Sequence, residues 1–334
     1  MKLTNLLAYV ILPGLILLAG CNNQKKAAET ASEAEKVADT VVAAHPDEEE
    51  FDEIPVIRDI EEGKPSTKTS AAQNEELLTS IVYRGKGAAE RQNGVKLASA
   101  GDLQGAIREF TKSIEIHQRN PDAYFYRGKA KWELKDYKGA DEDFSKAIEI
   151  RPSQAPYYYY RGQMYYEQKR YPEALADFDT AYARAFYYMD AVNFKGVVLA
   201  AMNRHEEAIA AYDKVIEEVP GHALAWFNKG TSLAALDRFA EAEQMLTRAV
   251  GIDRGYIQAY TNRGNCRFML EKYAEAVDDY TKSISLNQSN PDAFFNRAFA
   301  NLKLGKQTEA CADWQKAVSL GHKTAAQMLK QYCK

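Results

Sequence analysis

Cysteine is scarce in this chain, with four among 334 residues, too few for a disulfide-dense scaffold. Five histidines leave little for a histidine-based metal site. Nineteen glycines and ten prolines exclude a collagen-like chain, and 46% hydrophobic content excludes a wholly disordered one. Neither charge sign dominates. Lys plus Arg is 43 against 47 for Asp plus Glu, a net charge of −4, so no basic excess points to nucleic acid. Aromatic residues are nearly missing from the first 86 positions; 34 of 37 lie in residues 87–334. That later part therefore holds the core.

Long apolar runs are also lacking, apart from one at the amino terminus. Residues 1–21 read MKLTNLLAYVILPGLILLAGC. Lys2 supplies a positive start, and Leu6 to Leu18 is apolar but short for a spanning helix. The run ends Leu18-Ala19-Gly20-Cys21, an aliphatic residue and two small ones before a cysteine. This resembles the bacterial lipobox. The resemblance implies a signal peptide over residues 1–20, cleavage before Cys21, a diacylglyceryl group on its sulfur and an acyl chain such as palmitate on its new amine. Chains of that kind contribute about 0.8 kcal/mol per buried CH₂ and anchor firmly when paired. Asn22 is not the aspartate that retains enteric lipoproteins at the inner membrane. The analogy therefore implies an outer-membrane lipoprotein facing the periplasm. An ordinary secretory signal ending near a cysteine is the other reading.

Residues 21–72 read as a tether. From Asp47 to Glu62 there are nine acids and one base, too much charge to build a core. A flexible linker of about 50 residues reaches about 40 Å. Its span Phe51–Ile60 mixes apolar and acidic residues, as a docking peptide or as plain solvated linker. Residues 73–86, with Leu77, Leu78, Ile81 and Val82, are read as a capping helix.

Residues 87–322 repeat with a period of 34. Small residues recur as Gly94, Gly128, Gly162, Gly196, Gly230, Gly264 and Ala298. Twelve positions later stand Ala106, Ala140, Ala174, Ala208, Ala242, Ala276 and Ala310. Four beyond are Phe110, Phe144, Phe178, Tyr212, Leu246, Tyr280 and Trp314. Seven copies run without insertion. The spacing predicts two helices per copy, small residues allowing close approach and the large side chain filling the seam. Phe186, Arg254 and Gln288 replace the closing proline seen at Pro152 and Pro220, which predicts less sharply bent junctions there. Residues 323–334 are read as a final cap helix.

This pattern resembles the tetratricopeptide repeat. The resemblance implies an all-α fold, a right-handed α-solenoid of seven helix-turn-helix repeats, in which stability is a sum over stacked neighbours. It also implies that first helices line a concave groove. Carried onto this sequence, the family's inward positions select Phe125, Lys129, Trp132, Tyr159, Gln163, Tyr166, Asn193, Phe227, Thr231, Thr261, Asn265, Phe268, Phe295 and Phe299. Rings with interspersed amides suit a peptide-binding surface. The competing reading packs rings such as Phe125, Trp132 and Phe227 between repeats. Asn228, Asn262 and Asn296 form a ladder, read either as peptide-binding or as consensus structure. Asn193 and Thr261 stand where a carboxylate clamp needs a lysine, so no such clamp is expected.

Cys311 and Cys333 flank Gly321 at ten and twelve residues, which places them level in an antiparallel hairpin. Two readings follow: a disulfide pinning the cap helix in an oxidising periplasm, or two small buried side chains. Cys266 sits at a small helical position. Enzyme signatures are missing. His205-Glu206-Glu207-Ala208-Ile209 begins like a zinc-protease helix but lacks the second histidine. Gly85-Lys86-Gly87 lacks a P-loop frame. Asp141-Glu142-Asp143 and Asp278-Asp279 are read as solvated acids. The expectation is a non-enzymatic adaptor, without metal or cofactor, that binds a protein or peptide partner and a membrane but no nucleic acid, for envelope complex assembly or secretion. Self-association into a homo-oligomer is the alternative, and a hydrolase on a repeat scaffold the third reading.

Overall fold

A computed structural model describes residues 86–333, which fall into two compact units, 86–153 and 154–333. The signal peptide, Cys21, the tether and residues 73–85 of the expected capping helix lie outside the described residues.

The first unit holds four helices: α1 (Ala88–Ser99), α2 (Leu103–Ile116), α3 (Pro121–Glu133) and α4 (Tyr137–Ile150). The second holds eleven: α5 (Ala155–Glu167), α6 (Tyr171–Arg184), α7 (Met189–Ala201), α8 (His205–Glu218), α9 (Ala223–Ala235), α10 (Phe239–Ile252), α11 (Ile257–Met269), α12 (Tyr273–Leu286), α13 (Pro291–Lys303), α14 (Gln307–Ser319) and α15 (Ala325–Tyr332). No strand occurs among the described residues. In each unit consecutive helices pack as hairpins, and each hairpin stacks on the next, so the fold is all-α.

Local chemistry sets the helix starts. Asp102 and Asp136 accept hydrogen bonds from the backbone N–H groups of Gly105 (2.8 Å) and Gly139 (3.0 Å), as N-caps do. Asn120 and Asn290 cap α3 and α13, whose first residues are Pro121 and Pro291. The junctions at Phe186 and Arg254, without proline, still start α7 and α11 in the same 34-residue register.

Turns within hairpins share one geometry. Position fifteen of each repeat is left-handed: Gly101, Lys135, Lys169, Asn203, Asp237, Glu271 and Gly305 all have φ between 58° and 81°. After α3, Lys135 N–H donates to Trp132 and Asp136 N–H to Lys131, closing the helix carboxyl end. Only the first and last of these seven turns carry the glycine that such a conformation favours.

The seam residues form the core. Phe110, Phe144, Phe178, Tyr212, Leu246, Tyr280 and Trp314 are at most 1% exposed, and the alanines four residues before them are fully buried. A Cβ on Gly264 would lie 2.7 Å from the Tyr280 ring, which is why the paired helix must present no side chain there.

A second periodic device was read wrongly from sequence. Asp143 and Asp279 are buried, not solvated. Arg127 donates two 2.8 Å hydrogen bonds to Asp143, and Arg263 holds Asp279 at 2.9 and 2.6 Å. Arg161–Asp177 and Arg297–Asp313 repeat the same fork, always sixteen residues apart. Each arginine on a first helix thus clips the second helix of its own hairpin. Arg263 and Arg297 also donate to Thr247 and Thr281 of the preceding hairpin. In the fourth and fifth hairpins lysine replaces arginine. There Lys195 and Lys229 pair with Asp179 and Asp213 of the hairpin before.

The carboxyl end is closed by α15. Cys311 and Cys333 are disulfide-bonded, with Cα atoms 5.8 Å apart. Tyr332 stacks on Trp314 at 5.5 Å, and Gln307 donates to the Tyr332 carbonyl at 2.7 Å.

Candidate functional site

The first-helix face divides into what packs inward and what remains at the surface. In the first unit Phe125 is buried against Tyr126 and Phe144, with centroids 5.2 and 5.9 Å away. Lys129 and Trp132, one and two turns further along α3, stay half-buried.

In the second unit most of the expected groove rings are sealed. Tyr159 touches Phe178 of its own hairpin and Tyr188 and Phe194 leading into and within the next. Phe268 lies against Tyr273 at 5.2 Å. Phe295 stacks on His322 at 3.8 Å, and Phe299 meets Trp314 edge-on at 5.1 Å. Gln163, Asn193 and Asn265 are also buried. The expectation of an open, ring-lined surface is therefore corrected at Phe125, Tyr159, Gln163, Asn193, Asn265, Phe268, Phe295 and Phe299. The reason is that packing uses this face too: Phe125, Phe268 and Phe299 lie against aromatic rings of their own second helices, and Tyr159 and Phe295 are covered by the segment that follows their hairpin.

Six of the fourteen positions remain accessible in part: Lys129, Trp132, Tyr166, Phe227, Thr231 and Thr261. Phe227 leans on Tyr256 at 4.8 Å. Thr231 donates to the Phe227 carbonyl, and Thr261 shares a 2.8 Å hydrogen bond with Ser283.

The asparagine ladder ties neighbours together. Asn228 donates to Asn193 (3.2 Å), Asn262 to Thr231 (3.3 Å) and Asn296 to Asn265 (3.0 Å). Asn265 also accepts from the Tyr280 hydroxyl at 2.8 Å. These amides bridge consecutive first helices and fix the spacing of the side chains between them.

Models of the tetratricopeptide repeat match residues 121–154, 155–186, 195–257, 257–290 and 279–312, together more than half of the chain. The chain belongs to the tetratricopeptide repeat family. Among solved structures it is similar to a tetratricopeptide repeat protein from Parabacteroides merdae ATCC 43184, with TM-score 0.56 and 18% identity over 74% of this chain and 99% of that one. It is also similar to the C-terminal part of a repeat-containing protein from Cytophaga hutchinsonii, with TM-score 0.58 and 16% identity over 71% of this chain and 98% of that one. At these identities the likeness is one of fold. A search of curated proteins found no match.

Burial dominates the shifted titratable groups in the core of these tetratricopeptide repeats. Burial, helped by the Glu243 charge, pushes the Cys266 thiol up to about 12, so it is held as an unreactive thiol. Burial raises the Tyr159 and Tyr280 phenols and lowers the His205 imidazole. His205 stands where α6 and α12 begin with Tyr171 and Tyr273, and neither of its ring nitrogens has a hydrogen-bond partner. Among the described residues no His, Cys, Asp and Glu cluster could hold a metal ion, and no helix is long and apolar enough to cross a membrane. Sequence reasoning missed three cations on the second helices, Arg248, Lys282 and Lys316, at the same repeat position. Their signal was a cation recurring at intervals of 34.

Proposed function

We propose that this tetratricopeptide repeat chain is a non-catalytic adaptor, anchored through Cys21 to the bacterial outer membrane, whose first-helix face holds a segment of another protein in the periplasm. The observation that carries the binding role is the amide-bridged first-helix face of the second unit, on which Tyr166, Phe227, Thr231 and Thr261 stay partly open. Bridged helices do not have to be ordered when a partner arrives, which lowers the cost of association. Lys129 and Trp132 offer the matching pair in the first unit. The lipobox residues Leu18-Ala19-Gly20-Cys21 support the anchor, and Asn22 supports the outer rather than the inner membrane. The use we infer is assembly of envelope complexes or secretion.

The test compares variants in cells. Phe227→Ala with Thr261→Ala, and separately Lys129→Glu with Trp132→Ala, should reduce cross-linking to the partner recovered with the unaltered chain while leaving helicity intact. Equal recovery by both variants overturns the binding reading. Cys21→Ala should move the protein from the membrane to the soluble periplasmic fraction; continued membrane association in the outer-membrane fraction overturns the anchor.

A further inference from the structure

The opposite surface, formed by second helices, carries a feature that the adaptor reading does not use. Trp226, Glu243, Thr247, Arg248 and Lys272 help to line an open cavity of about 780 Å³ beside α10. Trp226 is half-buried, and its indole N–H donates to the Pro220 carbonyl at 2.9 Å. That bond fixes the ring and leaves its face to the Arg248 guanidinium, 5.9 Å from the centroid.

The charges of this cavity do not balance. Glu243 is held by Arg267 at 2.9 Å and by Lys272 at 2.7 Å. Arg248 is exposed and pairs with no carboxylate among the described residues. Its repeat position is occupied by Lys282 on α12 and Lys316 on α14, both exposed and neither in an ion pair among the described residues. Most groups beside these three cations are neutral, Thr247 and Gly251, Thr281 and Ser285, Gln315 and Ser319; the exposed Asp278 stands one turn before Lys282 and forms no ion pair with it among the described residues. The second helices α10, α12 and α14 therefore present one cation each without an ion pair among the described residues, in register, with an aromatic-walled hollow at the first; Lys214, at the same position on α8, lies instead over the Tyr182 ring at 3.9 Å.

We propose that this outer row binds an acidic segment of a partner protein, an aromatic side chain of that segment entering the Trp226 cavity and its carboxylates meeting Arg248, Lys282 and Lys316. The charge pattern selects the partner: carboxylates at intervals answer the cations, and a ring answers the anchored indole. A guanidinium stacked on a tryptophan is already oriented for a carboxylate and gives up little freedom on binding.

The probe is a fluorescein-labelled decapeptide of alternating Asp and Glu with one central Phe, titrated against the full-length chain by anisotropy. Binding is expected, and it should weaken at least about tenfold with Arg248→Glu. Lys282→Glu and Lys316→Glu, alone and together, should weaken it in steps, and added salt should weaken it throughout. The counterpart with Asn and Gln for the acids should not bind, and Phe→Ala in the peptide should bind more weakly. Arg248 is exposed, so its replacement leaves the core intact. The proposal is overturned if Arg248→Glu binds like the unaltered chain or if the amide peptide binds equally. It is also overturned if binding is lost with Lys129→Glu and Trp132→Ala instead, or if the three cations are needed only for phosphatidylglycerol vesicles and not for the peptide.

Discussion

Arg263 and Asp279 meet as a two-pronged ion pair, with Nε and Nη2 donating at 2.9 and 2.6 Å and the carboxylate almost wholly enclosed. Arg267 adds a third donor at 2.9 Å. Asp279→Ala should therefore leave the Arg263 guanidinium without its counter-charge, while Arg267 keeps Glu243 at 2.9 Å. Breaking a buried pair from one side costs about 3–5 kcal/mol. Urea melts of the variant should show that loss. A change below about 1 kcal/mol would mark the pair as a surface-type bridge instead.

The turn between α11 and α12 holds Glu271 at φ 60°. A side chain in that region costs about 1–2 kcal/mol, partly offset by glycine's larger entropy in the unfolded chain. Glu271→Gly should raise stability by up to about 1 kcal/mol. Glycine already occupies the equivalent places at Gly101 and Gly305. A lower melting temperature for the variant would contradict this.

Reduction should loosen the carboxyl cap before anything else. The Cys311–Cys333 link spans 22 residues, and loop closure of that size contributes about 3 kcal/mol. Because repeats unfold by neighbourhood rather than all at once, amide exchange should quicken in α15 and α14 on adding dithiothreitol. Protection in α7 to α10 should stay unchanged. Uniform loosening of the whole second unit would refute the local account.

His205 gives the second unit an acid sensitivity. Burial lowers its folded pKa below the ordinary value of 6.5. The unfolded chain therefore takes up the proton first, and stability falls as pH drops through 6.5 until the folded imidazole also titrates. His205→Tyr, matching Tyr171 and Tyr273, should remove that slope and raise stability near pH 5. A pH profile identical in both proteins would count against it.

Sequence alone disclosed the hairpins because their columns are strictly periodic and chemically extreme. Ala140, Phe144, Ala276 and Tyr280 could not be solvated at that spacing. The buried acids escaped notice because Asp143 and Asp279 sit among other carboxylates, and only the turn geometry brings an arginine sixteen residues upstream against them. The groove was over-read for a related reason. Tyr159 and Phe295 occupy face positions by count, but stacking brings Phe194 to the one and His322 to the other. Whether a ring faces water depends on the neighbour laid over it, which a repeat position does not encode. The cap was legible in Ala325, Met328 and Tyr332.

The common 34-residue register has a genetic consequence. Helices α7, α9, α11 and α13 start at Met189, Ala223, Ile257 and Pro291, so duplicating or excising one such block of coding sequence rejoins like to like. Kinship between blocks is not complete, because Lys195 and Lys229 lean on the preceding hairpin whereas Arg263 and Arg297 fasten their own. A gene of this kind can grow or shrink by whole modules, and the lysine blocks record where such an exchange would leave an unmatched join.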